Sequence, residues 1–374
     1  MRPFPYSVVL LCLSATLIAG CGGSSPSSSS STTTPTSPTY TAGAQYAYVG
    51  TQSWIDEYSI STSGQWTEIG RAAAAGSSAG TAIAIDPKYR FLYFIAGDSS
   101  SSVITMFTIT AGTGVLVPTV PASVTIAGTL SQGIAVDGLG RFVYTADTDS
   151  STVTSMAINQ TTGVLTPTSV SSIAAGRQTN GVVADASGKY VVAADEFGDV
   201  LAYTINQTTG NLTPNSPASV AGASGGFAGT INPAETFYYA AGGAGTYIAV
   251  LALNPTSGAL SEVASGQIAT GDGPTSIATT PNGQFAYVTN RLDGTISMFS
   301  VNSTTGLLTS LGATVPAGAT QPEDIVVDPG GQFAYAVCEA NSVTIFSIGA
   351  TGKLTQAGTA STDGIPQAVV LVPR

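Results

Sequence analysis

Few residues in this 374-residue chain are of a type that does chemistry, and none of them is histidine. Without an imidazole there is no Ser-His-Asp or Cys-His relay, no histidine-bound zinc and no histidine proton shuttle. Carboxylates, a few arginines and one late thiol remain. Glu323 and Glu339 fall in equivalent positions of one unit of the repeat described below, and Arg291, one period before Glu339, lies in the neighbouring unit. A carboxylate can take a proton from water, and a guanidinium can steady the oxyanion formed when water attacks an activated ester such as a lactone. These three are the candidate catalytic residues. The plainer expectation for them is a surface ion pair between neighbouring units, worth under about 1 kcal/mol. Asp147, Arg177, Asp195, Glu196 and Asp272 form a second group, a candidate ligand-binding face. Asp147-Thr148-Asp149 and Asp195 to Asp199 could turn carboxylate oxygens towards calcium, yet neither spacing matches an EF-type loop, so no metal is expected. No cofactor motif is present. Cys338 closes an apolar run and reads as a buried, inert thiol.

The background composition narrows the choices. Charged residues make up 8% of the chain, against about 25% in an ordinary soluble protein. With 10 Lys and Arg against 21 Asp and Glu, the net charge is -11. No basic footprint exists to neutralise phosphates, which excludes nucleic acid as a partner. Hydrophobic residues at 43% suffice for a large core, and 44 glycines with 20 prolines demand many turns.

Those turns recur with a period. The clearest unit runs Pro274-Thr-Ser-Ile-Ala-Thr-Thr-Pro-Asn-Gly-Gln-Phe-Ala-Tyr287-Val-Thr-Asn, then Gly294 to Asn302, then Thr305-Gly-Leu-Leu-Thr309. Its tyrosine aligns with Tyr48, Tyr93, Tyr144, Val192, Tyr239 and Tyr335. The glycine of its Thr-Gly-x-Leu turn aligns with Gly64, Gly114, Gly163, Gly210, Gly258 and Gly352. Each unit reads as four strands: a short apolar strand a, a Phe-x-Tyr strand b after a Pro/Asp/Asn-x-Gly turn, an alternating strand c, and a more polar strand d. Four strands every 45 to 51 residues indicate an all-β chain: a seven-bladed β-propeller of four-stranded antiparallel blades. The first unit, Gln45 to Ala73, lacks strand a, and Gln367 to Val372 supplies it from the other terminus. One blade is therefore expected to be shared by both chain ends, leaving no free sheet edge at the seam.

Antiparallel order puts the a–b and c–d turns on one face, with Lys88, Arg90, Arg141, Lys189 and Lys353. The other face carries the irregular b–c and d–a loops, with Asp98, Asp147, Asp149, Asp195, Glu196, Asp199, Asp272, Asp293, Glu323, Glu339 and Asp363 against Arg177 and Arg291. A propeller's ligand site lies by preference on such a loop face, around the central channel. Here that face is acidic, which disfavours a phosphorylated substrate.

The N-terminus reads as an address. Arg2 precedes an apolar run, Ser7 to Ile18, too short to span a bilayer and of the length of a secretory h-region. Ile18-Ala19-Gly20-Cys21 resembles a bacterial lipobox, which implies cleavage before Cys21 and its lipidation. The expected organisation is a leader at 1–20, lipidated Cys21 with a Ser/Thr/Pro-rich tether at 21–43, and the propeller at 44–374. Cell-envelope anchoring follows, with Gly22 favouring the outer membrane over the inner.

The motif Pro-x-x-Ile-Ala-x-x-Pro-x-Gly-x-Phe-Ala-Tyr-Val-Thr-Asn resembles the seven-bladed lactonase family, which includes the cycloisomerase-type 6-phosphogluconolactonases, and the related YVTN-repeat propellers. The resemblance implies the propeller fold and lactone hydrolysis. Members with known activity carry Pro-Arg-His at the start of a strand a and a Glu after strand b of the same blade. Here those slots hold Pro274-Thr275-Ser276 with Arg291, and one blade on Pro322-Glu323-Asp324 with Glu339. The missing Arg-His pair favours an envelope-anchored, non-catalytic module, monomeric, offering its loop face to a protein or glycan. The alternative is a lactonase acting on a sugar lactone.

Overall fold

The computed structural model describes residues 43–374 except 53, 76–79, 98–99, 127 and 223–225. The leader, Cys21, most of the tether and Asp98 lie outside the described residues. Among those described there are strands and turns and no helix. The strands form seven antiparallel sheets, each ordered d-c-b-a from its outer to its inner edge. In two blades strand d is broken: Leu212–Pro214 and Val220–Ala221 both pair with Asp199–Ile205, as do Leu308–Ser310 and Val315–Pro316 with Thr295–Val301.

Closure is as expected. Pro366–Pro373 lies antiparallel on Ala44–Thr51, with Tyr46 opposite Val372 and Tyr48 opposite Val370, so both termini build the first blade. The seven strands a stand side by side around the axis, each leaning on the next and the last on the first. That ring encloses the central channel.

The two sequence markers turn out to be halves of one contact. The strand b tyrosine of one blade donates its hydroxyl to the carbonyl of the turn glycine in the next. Tyr48 reaches Gly114 at 2.6 Å, Tyr93 reaches Gly163 at 3.0 Å, Tyr144 reaches Gly210 at 3.0 Å, Tyr239 reaches Gly306 at 3.0 Å and Tyr287 reaches Gly352 at 2.9 Å. The aromatic residue two places earlier covers the same glycine: a Cβ on Gly306 would collide with Phe237, and one on Gly352 with Phe285. These glycines also have φ near +75°, which an L side chain resists, so glycine is required twice over. Each buried bond of this type contributes about 1 kcal/mol, and the rings between blades supply the larger apolar term. The pattern lapses twice: Val192 has no hydroxyl, and at the seam the Tyr335 hydroxyl meets the Trp66 indole of the first blade instead of a turn glycine.

The a–b turns are capped by one side chain each. The side-chain oxygens of Asp86, Asp137, Asp185, Asn232 and Asp328 each accept backbone N–H groups from the residues four and five further on. Arg90 and Arg141 pair with Asp86 and Asp137. The turn face therefore holds buried acids beside the basic residues expected there, and its arginines are largely committed to them.

Candidate active site at the channel mouth

At the loop end of the channel every strand a carries a β-bulge, visible as a register shift against strand b in all seven blades. The extra residues are Thr81, Gln132, Asn180, Phe227, Thr275, Glu323 and Gln367. A bulge takes its residue out of the regular alternation and re-aims it. Six of these seven are polar, inside segments that are otherwise apolar or small.

The loops above are fixed by a second repeated contact. The residue just past strand b donates its backbone N–H to the carbonyl just before strand a: Thr148 to Leu130, Glu196 to Gln178, Arg291 to Gly273 and Glu339 to Gln321. All four acceptors have positive φ. This holds Arg291 and Glu339 over the bulge ring.

There the three candidate catalytic residues meet. The Arg291 Nε donates to Glu323 Oε1, and its Nη2 lies 2.7 Å from Glu339 Oε1. The Arg291, Glu323 and Glu339 side chains are 11%, 2% and 24% exposed. The surface ion pair anticipated from sequence is thus a buried cluster with one carboxylate open to solvent. Burial, with the Glu339 charge adding to it and Arg291 opposing it, pushes the Glu323 carboxyl up to about 8, so it holds its proton at neutral pH. Burial acts against the charge on Arg291, but the two carboxylates outweigh it and raise the guanidinium further. The second oxygen of Glu323, Oε2, is buried, and a hydrogen bond between the Glu323 and Glu339 carboxyls adds to the upward push.

A comparison with protein families then decides the lineage: the family described as "Lactonase, 7-bladed beta-propeller" matches residues 57–183 and 174–371. The chain belongs to this lactonase family. Solved structures similar to this lactonase-family propeller share its fold at low identity. A candidate 6-phosphogluconolactonase from Bacteroides uniformis superposes with a TM-score of 0.75 at 20% identity, covering 89% of this chain and 100% of that one. A periplasmic gluconolactonase from Pseudomonas aeruginosa gives 0.73 at 19% identity, covering 87% and 98%. No curated protein matches the sequence.

In this lactonase-family propeller the second expected group does not act together. Asp147 and Asp195 are corrections: both are fully buried, not exposed on the loop face. The Asp147 carboxylate accepts hydroxyls from Ser131, Thr145, Thr152 and Thr154, and burial raises its pKa. The Asp195 carboxylate accepts the N–H groups of Arg177, Phe197 and Asp199 and so shapes its own loop. Both carboxylates are engaged in internal hydrogen bonds. Glu196, Asp272 and Arg177 are exposed, the last with its guanidinium 4.1 Å above the Phe197 ring. Cys338 is buried, its thiol pushed up to about 11 by burial.

Sequence reasoning passed over three residues. Asp324, next to Glu323, accepts from Ser276 Oγ at 2.8 Å and from the backbone of Ile325 and Val369, tying three blades together; burial raises it to about 6. Gln132 and Gln367 stand in the bulge ring, both buried. Their signal was available: a lone amide at the head of an apolar strand a, in register with Glu323.

Proposed function

We propose that this propeller hydrolyses a neutral sugar lactone or a related ring ester at the channel mouth. The observation that carries the reading is the placement of Arg291 between a buried, unionised glutamic acid and a partly exposed glutamate. Glu339, as carboxylate, takes a proton from water as its oxygen adds to the lactone carbonyl carbon. Arg291 N–H groups steady the oxyanion. As the tetrahedral intermediate collapses, the bond from carbonyl carbon to ring oxygen breaks, and Glu323 delivers its proton to that oxygen. The product is the open hydroxy acid. The proton gained by Glu339 and lost by Glu323 is then exchanged between the two carboxyls, which share one guanidinium. The names of the Bacteroides and Pseudomonas neighbours support the reaction class. The acidic loop face supports a neutral substrate over a phosphorylated one. The test is a pH-stat assay on a panel of neutral and phosphorylated lactones, corrected for spontaneous opening. Saturable turnover of neutral members supports the reading, and rates equal to buffer alone refute it.

One observation favours a second reading, a binding module without turnover: Thr275-Ser276 stand where active members carry Arg-His. Saturable ligand binding with no hydrolysis would select it. Under either reading we place the protein on the cell envelope through lipidated Cys21, outer membrane before inner. Palmitate labelling of the full chain that survives in Cys21→Ala would refute the anchor.

A further inference from the structure

The bulge ring holds more unsatisfied polar atoms than a folded core tolerates without reason. Buried side-chain groups in native proteins almost always find a hydrogen-bond partner. Yet Gln132 Oε1 and Gln367 Oε1 and Nε2 are all buried with no partner among the described residues. They occupy, on two strands a, the same register position that Glu323 holds on a third. Going round the ring, Glu323 of the seventh blade stands next to Gln367 of the first, and Gln132 follows two blades on. Two other residues at this level are satisfied: Asn180 Oδ1 accepts from Thr148 Oγ1 at 2.9 Å, and Thr275 Oγ1 donates to the Pro322 carbonyl at 3.0 Å. The unpaired atoms therefore lie along one arc, and that arc ends at the Arg291 cluster.

We infer that this arc is a hydroxyl-binding subsite beside Glu323, in which the Gln132 and Gln367 amides receive the hydroxyls of a neutral polyhydroxylated ligand. Amides suit the task because each both donates and accepts, as every sugar hydroxyl does. A charged ligand gains nothing from them. The identification of the ligand as the polyol part of a ring ester rests on the reading above; the binding itself does not.

The probe is sorbitol, a neutral hexitol, with sorbitol 6-phosphate as its charged counterpart, titrated calorimetrically into the purified protein. The expectation is saturable sorbitol binding and at least tenfold weaker binding of the phosphate at low salt. Gln132→Leu and Gln367→Leu each weaken sorbitol about tenfold or more, because a site built to bond a hydroxyl loses heavily when one partner is removed. Neither lowers the melting temperature, since each replaces an unpaired buried amide with an apolar group. Gln367→Met, unbranched like the native side chain, repeats the test if leucine disturbs packing. Absence of saturable sorbitol binding, or leucine variants that bind as the parent does, overturns the subsite. The two proposals fail separately. Lactone turnover with KM unmoved in the glutamine variants defeats the subsite and leaves the enzyme; sorbitol binding lost in those variants, without turnover of any lactone, does the reverse.

Discussion

Replacing Glu323 by glutamine should flatten the dependence of stability on pH. In the folded protein burial raises this carboxyl from its ordinary 4.5 to about 8. Between those values the folded chain holds a proton that the unfolded chain has released, so stability falls as the pH rises through this window. Each tenfold separation in proton affinity corresponds to about 1.4 kcal/mol. Over pH 5 to 8 the Glu323 contribution is therefore about 4 kcal/mol in favour of the acid side, and it is fully present below 4.5. Asp324, raised to about 6, adds roughly 1 kcal/mol between pH 5 and 6 with the same sign. Glutamine keeps a carbonyl for the Arg291 Nε and cannot ionise. Urea unfolding at pH 5 and pH 8 measures the effect. The parent should be several kcal/mol more stable at pH 5, and Glu323→Gln should lose most of that difference while matching the parent at pH 5. Equal pH slopes in the two proteins, or a parent more stable at pH 8, would refute the reasoning.

Three further outcomes follow from the same geometry. Tyr287→Phe removes the bond to Gly352 and should cost about 1 kcal/mol in equilibrium unfolding; an unchanged free energy would contradict the contact. Deleting residues 366–374 strips strand a from the first blade and exposes the inner edge of Ala44–Thr51; circular dichroism should show loss of the cooperative transition, and an unchanged melting temperature would contradict the closure. If Glu323 delivers the proton to the leaving oxygen, kcat for a neutral lactone should decline above about pH 8, and a rate still climbing at pH 9, after subtraction of the hydroxide reaction, would remove it from that role.

The ring was legible because its physics repeats. Tyr287 and Gly352 recur in phase with their counterparts for a mechanical reason: one donates to the other across five of the seven blade boundaries, so neither can drift there without breaking the contact. The missing strand a was legible too, since Gln45 to Ala73 begins at strand b and Gln367 to Val372 has nowhere else to pair. Exposure was harder. Asp147 and Asp195 lie where loops were expected, but whether an aspartate points outward or organises its own turn depends on the hydroxyls and N–H groups that close on it, and these come from other strands. The same holds for Arg291, Glu323 and Glu339. Their proximity followed from the blade register, but the burial that makes Glu323 an acid came from the bulge, which no pattern of residue types announces. Gln132 and Gln367 were overlooked because single amides in apolar runs resemble noise until seven registers are laid side by side.

The account turns on whether the cluster at the channel mouth performs acid-base chemistry. The most direct measurement is kcat/KM for opening of a neutral gluconolactone by the parent and by Glu339→Gln. A loss of about a hundredfold or more, the usual scale for removing a general base, with sorbitol binding retained, is the predicted result. Equal kcat/KM in the two proteins would show that lactone opening, if present, does not proceed through this site.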